Sequence, residues 1–236
     1  MSQKYLGGFI TKSPVAPTSS AASGMWTIDQ AMQLKKQGLW PTFGIGSPFG
    51  GGFFAGQIST AGNGIADYNL VVGPVASAQS TTLQWKTSNT STSGTTSVIN
   101  GPANSAAMND ASHPCGQFCE GLTIGGFSDW YMPAINESEV CYYNLKPSTD
   151  ANTITSGANP NAVPARGSNY TVGTPAQTSA AAFQTGNSEP YLAENYWTST
   201  QVSATTAWRH GFNTGLQYAD GKNFSYRVRA IRRVAV

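Results

Sequence analysis

The chain has 236 residues, a formal net charge of +2 and 10 % charged residues, against roughly 25 % in an ordinary soluble domain. Apolar residues make up 39 % and aromatic residues 11 %, which is too much hydrophobic material for an intrinsically disordered chain. The 26 glycines and 13 prolines follow no collagen-like three-residue period. These values exclude collagen, disorder and coiled coil, and they allow one large domain with appendages.

The charge pattern also narrows the possible partners. The only dense basic run lies at 227–233, so we expect no nucleic-acid interface, which would need a basic stripe over much of the surface. No stretch of 18 apolar residues predicts membrane insertion. The first 15 residues lack a continuous apolar stretch, so we expect no secretory signal. Three cysteines do not make a disulfide framework, which indicates folding in a reducing cytosol.

Residues 1–41 are predicted to form an extended arm with one short helix. Thr27 followed by Gln30 has the spacing of a capping box, and Gly38 suits a helix end. A helix of about ten residues is unstable alone in water, so it must pack against the chain's own domain or against another subunit. The second alternative makes an assembly anchor of Trp26, Met32, Trp40 and Pro41.

Residues 42–236 are predicted to form one domain of α+β class. Apolar patterns predict strands at 53–58, 68–72, 83–86, 196–200, 206–212 and 223–234. One helix is expected over 103–122, interrupted by Pro114, and another from Pro133 to Leu145. In the last strand Arg227 and Arg229 alternate with apolar residues, which predicts a basic outer face. Residues 146–194 form a long polar loop, and a loop of this length often has a function.

Several of these segments, taken in order, indicate a family. The sequences are GFSDWYMP at 126–133, YWTST at 196–200, AWR at 207–209 and YRVRAIRR at 226–233, preceded by FFAGQI at 53–58 and LQWK at 83–86. Together they resemble the C-terminal domain of the Legionella collagen-like protein, a family common in bacterial surface proteins and phage genomes. The resemblance implies a C-type-lectin-like fold with two helices and small antiparallel sheets, in which a long loop carries binding. It also implies that strands 53–58 and 223–234 lie close together.

The arm has a resemblance of its own. Residues 23–30 (SGMWTIDQ) and 38–41 (GLWP) look like an element at the start of tailed-phage virion proteins. This similarity implies a bacteriophage virion protein, assembled in the bacterial cytoplasm, whose arm binds other virion proteins. Phage fibres and decorations that it resembles are usually threefold, so a homotrimer is expected.

Carbohydrate recognition needs planar rings together with amide and guanidinium hydrogen-bonding groups. The residues near the long loop that supply these types and are expected at the surface give the glycan-binding candidates, which are Tyr191, Asn195, Arg209 and Tyr218. Trp197 and Trp208 either pack the core or contact sugar, and their match to family positions favours the core. The segment Glu189–Pro190–Tyr191 lacks the amide of the Glu-Pro-Asn motif that binds calcium in lectins, so no calcium is expected.

A catalytic function is not expected. Formylglycine-generating enzymes, which the fold resembles, use cysteines late in the chain with copper, whereas the last cysteine here is Cys141. His113, Cys115 and Cys119 either begin a metal site or pack the core, and the apolar stripe of the cysteines favours packing. Glu137 and Glu139 are interpreted as acids of a helix first turn rather than a catalytic pair. We expect no cofactor and no metal.

Two functions follow from these expectations. The first is a virion receptor-binding protein, at a tail fibre or fibre tip, that attaches to a host-surface glycan. The alternative is a capsid or tail decoration or scaffold protein without a receptor-binding role.

Overall fold

The structure of the chain, a computed structural model, describes residues 44–236 and, within the arm, Thr27, Asp29, Gln30, Met32 and Gln33. The capping box is confirmed, because the Thr27 amide donates to Gln30 Oε1 at 2.9 Å and the Gln30 amide donates to Thr27 Oγ1 at 3.2 Å. Met32 of the predicted anchor is 51 % exposed. The other three anchor residues, Trp26, Trp40 and Pro41, lie outside the described residues.

Residues 44–236 form ten strands and four α-helices. The strands are β1 Pro48–Phe49, β2 Gly52–Ile58, β3 Tyr68–Val72, β4 Leu83–Gln84, β5 Ala162–Val163, β6 Asn195–Gln201, β7 Thr206–Gly211, β8 Gln217–Gly221, β9 Ser225–Tyr226 and β10 Ile231–Ala235. The helices are α1 Val75–Ala78, α2 Gly101–Ala106, α3 Pro114–Glu120 and α4 Ile135–Leu145. A 3-10 turn covers Ala181–Phe183.

The strands form three antiparallel sheets, which confirms the α+β class. The largest has the order β1-β2-β3-β10, with β5 also paired to β2. A second sheet joins β6, β7 and β8, and a third joins β4 to β9. Strands β2 and β10 are separated only by β3, so the predicted closeness of the two ends of the domain is confirmed. The predicted helix over 103–122 is two helices, α2 and α3, and α3 begins at the proline that interrupts the pattern.

A β-bulge lets helix α4 approach strand β2. The register between β2 and β3 shifts between Phe54 and Gly56, and Gly56 has φ +126°. A Cβ atom at Gly56 would lie 2.4 Å from Nδ2 of Asn144 on α4. That amide donates to the carbonyl of Ala55 at 2.8 Å. Because only glycine accepts both the φ angle and the close contact, this position fixes the distance between helix and sheet.

Helix α4 lies at the centre of the domain, in contact with β2 of the largest sheet and with β6 and β7 of the three-stranded sheet. Its apolar residues Val140, Tyr142 and Leu145 are buried. Tyr142 packs edge-on against Phe212 with ring centroids 5.5 Å apart. A helix buried on several sides explains why its acids are also enclosed, as described below for the site.

A second cluster of buried residues contains three tryptophans and the two cysteines of α3. Trp85 donates its indole N–H to the carbonyl of Thr198, and Trp197 donates to that of Phe224. Both rings are at most 1 % exposed, so the core alternative holds for Trp197. Trp208, the other tryptophan considered for sugar contact, is partly buried.

The last segment departs from its prediction. Residues 223–234 are two strands, β9 and β10, separated by residues that make only isolated bridges. The predicted basic outer face is wrong, because Arg229 is 1 % exposed and the Arg227 side chain is 19 % exposed. Each arginine of this segment pairs with a carboxylate from a distant part of the chain, in the pairs Arg227–Glu194, Arg229–Glu189, Arg232–Asp129 and Arg233–Glu137. Paired guanidinium groups can be buried, whereas the alternation alone predicted exposed charge.

Residues 146–194 contain little regular structure, yet they are anchored to the domain at many points. Phe183 is fully buried and Tyr170 is 5 % exposed. Asn152 accepts from the Tyr142 hydroxyl at 2.7 Å and donates to three backbone carbonyls of the loop. Lys146 is buried and donates to the carbonyls of Asp150 and Pro175. Side chains therefore satisfy the backbone of this loop where sheet hydrogen bonds do not.

Among the residues that the structure describes, no helix has the length and the apolar character needed to cross a membrane.

Candidate functional site

Three of the four predicted glycan-binding residues lie together on the three-stranded sheet. Asn195 begins β6, Arg209 lies on β7 and Tyr218 lies on β8. Arg209 is directly opposite both Trp197 of β6 and Tyr218 of β8, and directly opposed residues share one face of a sheet. The antiparallel register thus brings these three candidates to one face, although they are up to 23 positions apart in the sequence.

The fourth candidate, Tyr191, was expected at the surface, and the structure corrects this expectation. Its side chain is only 3 % exposed, and its ring stacks on Phe212 with centroids 3.8 Å apart. The guanidinium carbon of Arg229 lies 4.8 Å from the same ring. A position at the end of a polar loop indicated the surface, but a large aromatic ring gains more by burial against other rings. Tyr191 therefore belongs to the core and not to the exposed surface where it was expected.

The guanidinium of Arg209 is held in place by its neighbours. Its Nε donates to Asp220 Oδ2, and its Nη1 donates to Asn195 Oδ1 at 2.9 Å. The rings of Tyr218 and Tyr226 have their centroids 5.5 and 5.8 Å from its central carbon. The Tyr226 hydroxyl donates to Asp220 Oδ2 at 3.0 Å, and burial raises the pKa of Tyr226. These five residues are called the Arg209 surface below.

The Arg209 surface offers a flat aromatic contact beside fixed polar groups. Tyr218 is 55 % exposed, whereas its neighbour Arg209 has a side chain that is 15 % exposed. Arg209 and Asp220 cancel each other's charge, so the surface carries no strong field of either sign. A tyrosine ring supplies rigid, amphipathic contact area at a low cost in side-chain entropy. The arrangement suits a neutral ligand with one apolar face and several hydroxyl groups.

The residues considered for a metal site, His113, Cys115 and Cys119, do not come together around one point. Cys115 and Cys119 are fully buried on α3, which confirms the packing interpretation. His113 instead bonds to Thr92 Oγ1 at 2.8 Å and to Asp110 Oδ1 at 2.9 Å. Hydrogen bonds from Ser112 and then His113 lower the pKa of Asp110 to about 2. Within the described residues, no three His, Cys, Asp or Glu side chains are grouped so that they could hold a metal ion.

The third cysteine, Cys141, and the second histidine, His210, are in the core with Tyr142. His210 bonds through Nδ1 to Ser138 Oγ at 3.1 Å, and burial lowers the pKa of His210 to about 3. Glu189, in the segment compared with the lectin calcium motif, accepts hydrogen bonds from Arg229 and from the Val75 amide through Oε2.

The first-turn interpretation is confirmed for Glu137, and both acids of α4 also form ion pairs that the sequence did not predict. Glu137 does accept from the Ala134 amide at 2.8 Å, as an acid of a first turn would. It is also fully buried and paired with Arg233 and with the Tyr131 hydroxyl. Burial raises the pKa of Glu137, and the charge of Arg233 acts in the opposite direction. Glu139, interpreted from the sequence as a second first-turn acid, is equally buried and pairs with Arg166 of the long loop. Glu137 and Glu139 thus each form a buried ion pair that connects α4 to another part of the chain.

Sequence reasoning missed a cavity in the long loop. A depression of about 220 Å³ is lined by Tyr143 of α4, by residues 166–171 and by Thr174. The guanidinium of Arg166 lies over the Tyr143 ring, 4.1 Å from its centroid. The sequence held no indication of this place, because Tyr143 is one of two adjacent tyrosines in a helix and the loop has no distinctive motif.

Comparison with protein families gives one match. The family of the Lcl C-terminal domain matches residues 75–232, which is more than half of the chain. The chain therefore belongs to the Lcl C-terminal domain family, and the resemblance inferred from the sequence is confirmed. Membership supports a lectin-like, surface-binding domain. A search of curated proteins gave no match.

Proposed function

We propose that this member of the Lcl C-terminal domain family is a bacteriophage virion protein that attaches to a host-surface glycan through its Arg209 surface. One observation carries the binding part of this proposal. A tyrosine that is more than half exposed, Tyr218, lies beside a guanidinium that Asp220 and Asn195 hold in a fixed position. The family match, which supports a lectin-like and surface-binding role, agrees with it.

The polar groups of the Arg209 surface are arranged before any ligand binds. Because Arg209 is held by two side chains, little side-chain entropy remains to be lost on binding. Asn195 is partly exposed and keeps its amide N–H donors beside the guanidinium. A sugar ring lying on Tyr218 would place its hydroxyl groups within reach of these donors. The interaction is weak for a single site, and repeated copies would strengthen it by raising the effective concentration.

We infer that the role is binding and not catalysis. The thiolate is the reactive form of cysteine, and burial raises the pKa of Cys115, Cys119 and Cys141. The two acids of α4, Glu137 and Glu139, are engaged in buried ion pairs. The three cysteines and the two acids are therefore proposed to stabilise the folded domain and not to react with a substrate.

The arm is proposed to join the domain to other virion proteins. The half-exposed Met32 and the resemblance of segments 23–30 and 38–41 to phage virion proteins support this role. Deletion of residues 1–41 should leave a folded domain that no longer incorporates into particles. A deletion variant that unfolds, or that incorporates normally, would show that the arm belongs to the domain.

A homotrimer is also proposed, and light scattering of the full chain should give three times 24.8 kDa.

A decoration or scaffold role is the second candidate. It is favoured by the low charge of the chain and by the pairing of every one of its six arginines with a carboxylate. Such a surface causes little like-charge repulsion between closely packed copies. This role requires no receptor, so it predicts that changes at Tyr218 have no effect on attachment to cells.

The full-length protein, applied to a glycan array and to candidate host cells, tests the proposal. We expect binding that the variant Tyr218→Ala loses and that Tyr218→Phe keeps, since the ring supplies the contact. The matched control is Ile65→Ala, which removes an apolar side chain that is 69 % exposed and lies in the loop between β2 and β3. Equal binding by Tyr218→Ala and the control would refute the Arg209 surface. Binding to no glycan and to no cell would favour the decoration role.

A further inference from the structure

We propose that the cavity of the long loop, formed by Tyr143 and by residues 166–171 with Thr174, is a second binding subsite that takes one neutral sugar residue. The inference deepens the proposed lectin-like function, but it rests on other residues than the Arg209 surface. It starts from the cavity described above, whose lining combines the rings of Tyr143 and Tyr170 with hydroxyl and amide groups.

The base of the cavity carries no net charge. Arg166 pairs with Glu139 through both Nε and Nη2, so the one cation of the lining is neutralised by a buried carboxylate. The Tyr170 hydroxyl donates to the same carboxylate at 2.9 Å. A free anion would gain little from an arginine that is already paired, and a cation would meet no unpaired acid among the lining residues. The charge balance therefore favours a neutral ligand.

The rim supplies hydrogen-bonding groups that are still available. The hydroxyls of Ser168, Thr171 and Thr174 make no hydrogen bond within residues 44–236. Asn169 uses its Nδ2 to donate to the Ile154 carbonyl at 3.2 Å, which orients its Oδ1. Each hydroxyl can both donate and accept. Such a set matches a polyhydroxylated molecule, whose hydroxyl groups also donate and accept.

The walls of the cavity are held in place on both sides. Asn159 and Arg166 exchange two backbone hydrogen bonds, of 2.7 and 2.9 Å. Thr171 and Thr174 exchange two more, of 3.0 and 3.2 Å, across a tight turn. The stacking of Arg166 on Tyr143 ties the loop to helix α4. A site that is already ordered loses little conformational entropy when it binds a ligand.

The size limits what can enter. Pockets for drug-sized ligands measure about 300–1,000 Å³. The volume of about 220 Å³ is below this range, so it suits one monosaccharide residue and not an extended ligand. Affinity for such a small molecule is expected on the order of 1 mM. The subsite would therefore contribute to attachment as one of several contacts with a longer glycan.

The test is the titration of the full-length protein with methyl glycosides of four neutral sugars (glucose, galactose, mannose and N-acetylglucosamine), followed by saturation-transfer and amide NMR. We expect at least one glycoside to bind and to shift the amides of residues 166–174. The variant Gly167→Trp places a large ring at the cavity, and a Cβ atom there meets nothing within 4 Å. It should weaken binding by at least about tenfold.

The matched control is Gly173→Trp, which changes a glycine of the same loop that is equally open but does not line the cavity. Binding by this control should stay within about twofold of the unchanged protein. If no glycoside binds, or if Gly167→Trp binds as well as the control, the subsite is refuted.

The outcome also separates this subsite from the Arg209 surface. A glycoside that binds Tyr218→Ala but not Gly167→Trp supports the cavity even if the chain attaches to no cell. Cell attachment that is lost in Tyr218→Ala, without glycoside binding at the cavity, supports the Arg209 surface and refutes the subsite.

Discussion

Arg233 and Arg209 show two uses of the same chemical group. Arg233 pairs with the fully buried Glu137 at 2.8 Å and is enclosed by the helix and sheet that it joins. Arg209 pairs with Asp220 on an outer sheet face, beside the exposed ring of Tyr218. The Arg233–Glu137 pair connects two distant parts of the chain, whereas the Arg209–Asp220 pair holds polar groups at the exposed surface. The difference lies in the surroundings and not in the pair itself.

The largest expected effect comes from breaking the enclosed pair. The variant Glu137→Ala leaves Arg233 and the Tyr131 hydroxyl without their buried acceptor. Removal of one partner of a buried ion pair costs about 3–5 kcal/mol. Chemical denaturation of the variant and the unchanged protein measures this loss.

The control for that measurement is Glu194→Ala. Glu194 also pairs with an arginine, Arg227, but its side chain is 50 % exposed. The free energy of unfolding should fall by less than about 1 kcal/mol. Equal losses in Glu137→Ala and Glu194→Ala would mean that burial does not distinguish the two kinds of pair.

The enclosed region should also respond to acid. Burial lowers the pKa of His210 to about 3. The unfolded chain takes up this proton below about pH 6.5, whereas the folded chain does so only near pH 3. The contribution of His210 is therefore fully present above pH 6.5 and is lost as the pH falls toward 3. Between pH 7 and pH 5 the loss is about 2 kcal/mol.

Unfolding of the variant His210→Asn at both pH values isolates this contribution. Asparagine keeps a polar group near Ser138 but does not titrate, so the difference between pH 7 and pH 5 should shrink by about 2 kcal/mol. Glu137 and Glu139 are present in both proteins and cancel in the comparison. An unchanged pH dependence in the variant would contradict a buried neutral imidazole.

A smaller effect is expected from the outer pair. The variant Asp220→Ala removes the acceptor of both Arg209 and the Tyr226 hydroxyl, whose surroundings are partly exposed. We expect a loss of about 1–2 kcal/mol in unfolding free energy, together with weaker glycan binding because Arg209 is no longer held. The melting temperature and the array signal of one preparation measure both. If Asp220→Ala lowered the unfolding free energy as much as Glu137→Ala, the Arg209–Asp220 pair would be as important for stability as the buried pairs.

The smallest effect on stability belongs to Tyr218→Ala. Its ring is mostly exposed, so the free energy of unfolding should change by no more than about 0.5 kcal/mol. Binding is nevertheless expected to be lost. A destabilisation well above this value, seen in the same denaturation experiment, would mean that the ring supports the sheet.

The regular elements could be predicted where apolar residues form a short run or where a proline marks a helix start. Strand 68–72 coincides with β3, which ends in the apolar run Leu70–Val72, and the helix after Pro133 coincides with α4. Strand β8 was missed, since Gln217–Gly221 is polar and ends in Asp220–Gly221, which indicates a turn. Its pairing with β7 depends on a long-range register that no local pattern contains.

The candidate site was predictable in composition and only partly in position. Asn195, Arg209 and Tyr218 were selected by residue type, and the register of β6–β8 brings them together. Tyr191 was expected at the surface but is buried, because neighbouring rings from other segments enclose it, and contacts of that kind are set by the tertiary fold. The same reason explains the cavity at Tyr143, whose walls come from segments that are distant from the helix in sequence.

The three buried cysteines can serve as probes of local unfolding in the folded domain. All are buried, with exposures of 0–1 %, and burial raises the pKa of Cys141 to about 12. An alkylating reagent attacks the thiolate, so modification must wait for a fluctuation that admits water. The rate of labelling in undenatured protein therefore reports how often each of the two core clusters opens. Because the same enclosure keeps oxidants away from the thiols, we expect the three cysteines of the folded chain to stay reduced in oxidising solution.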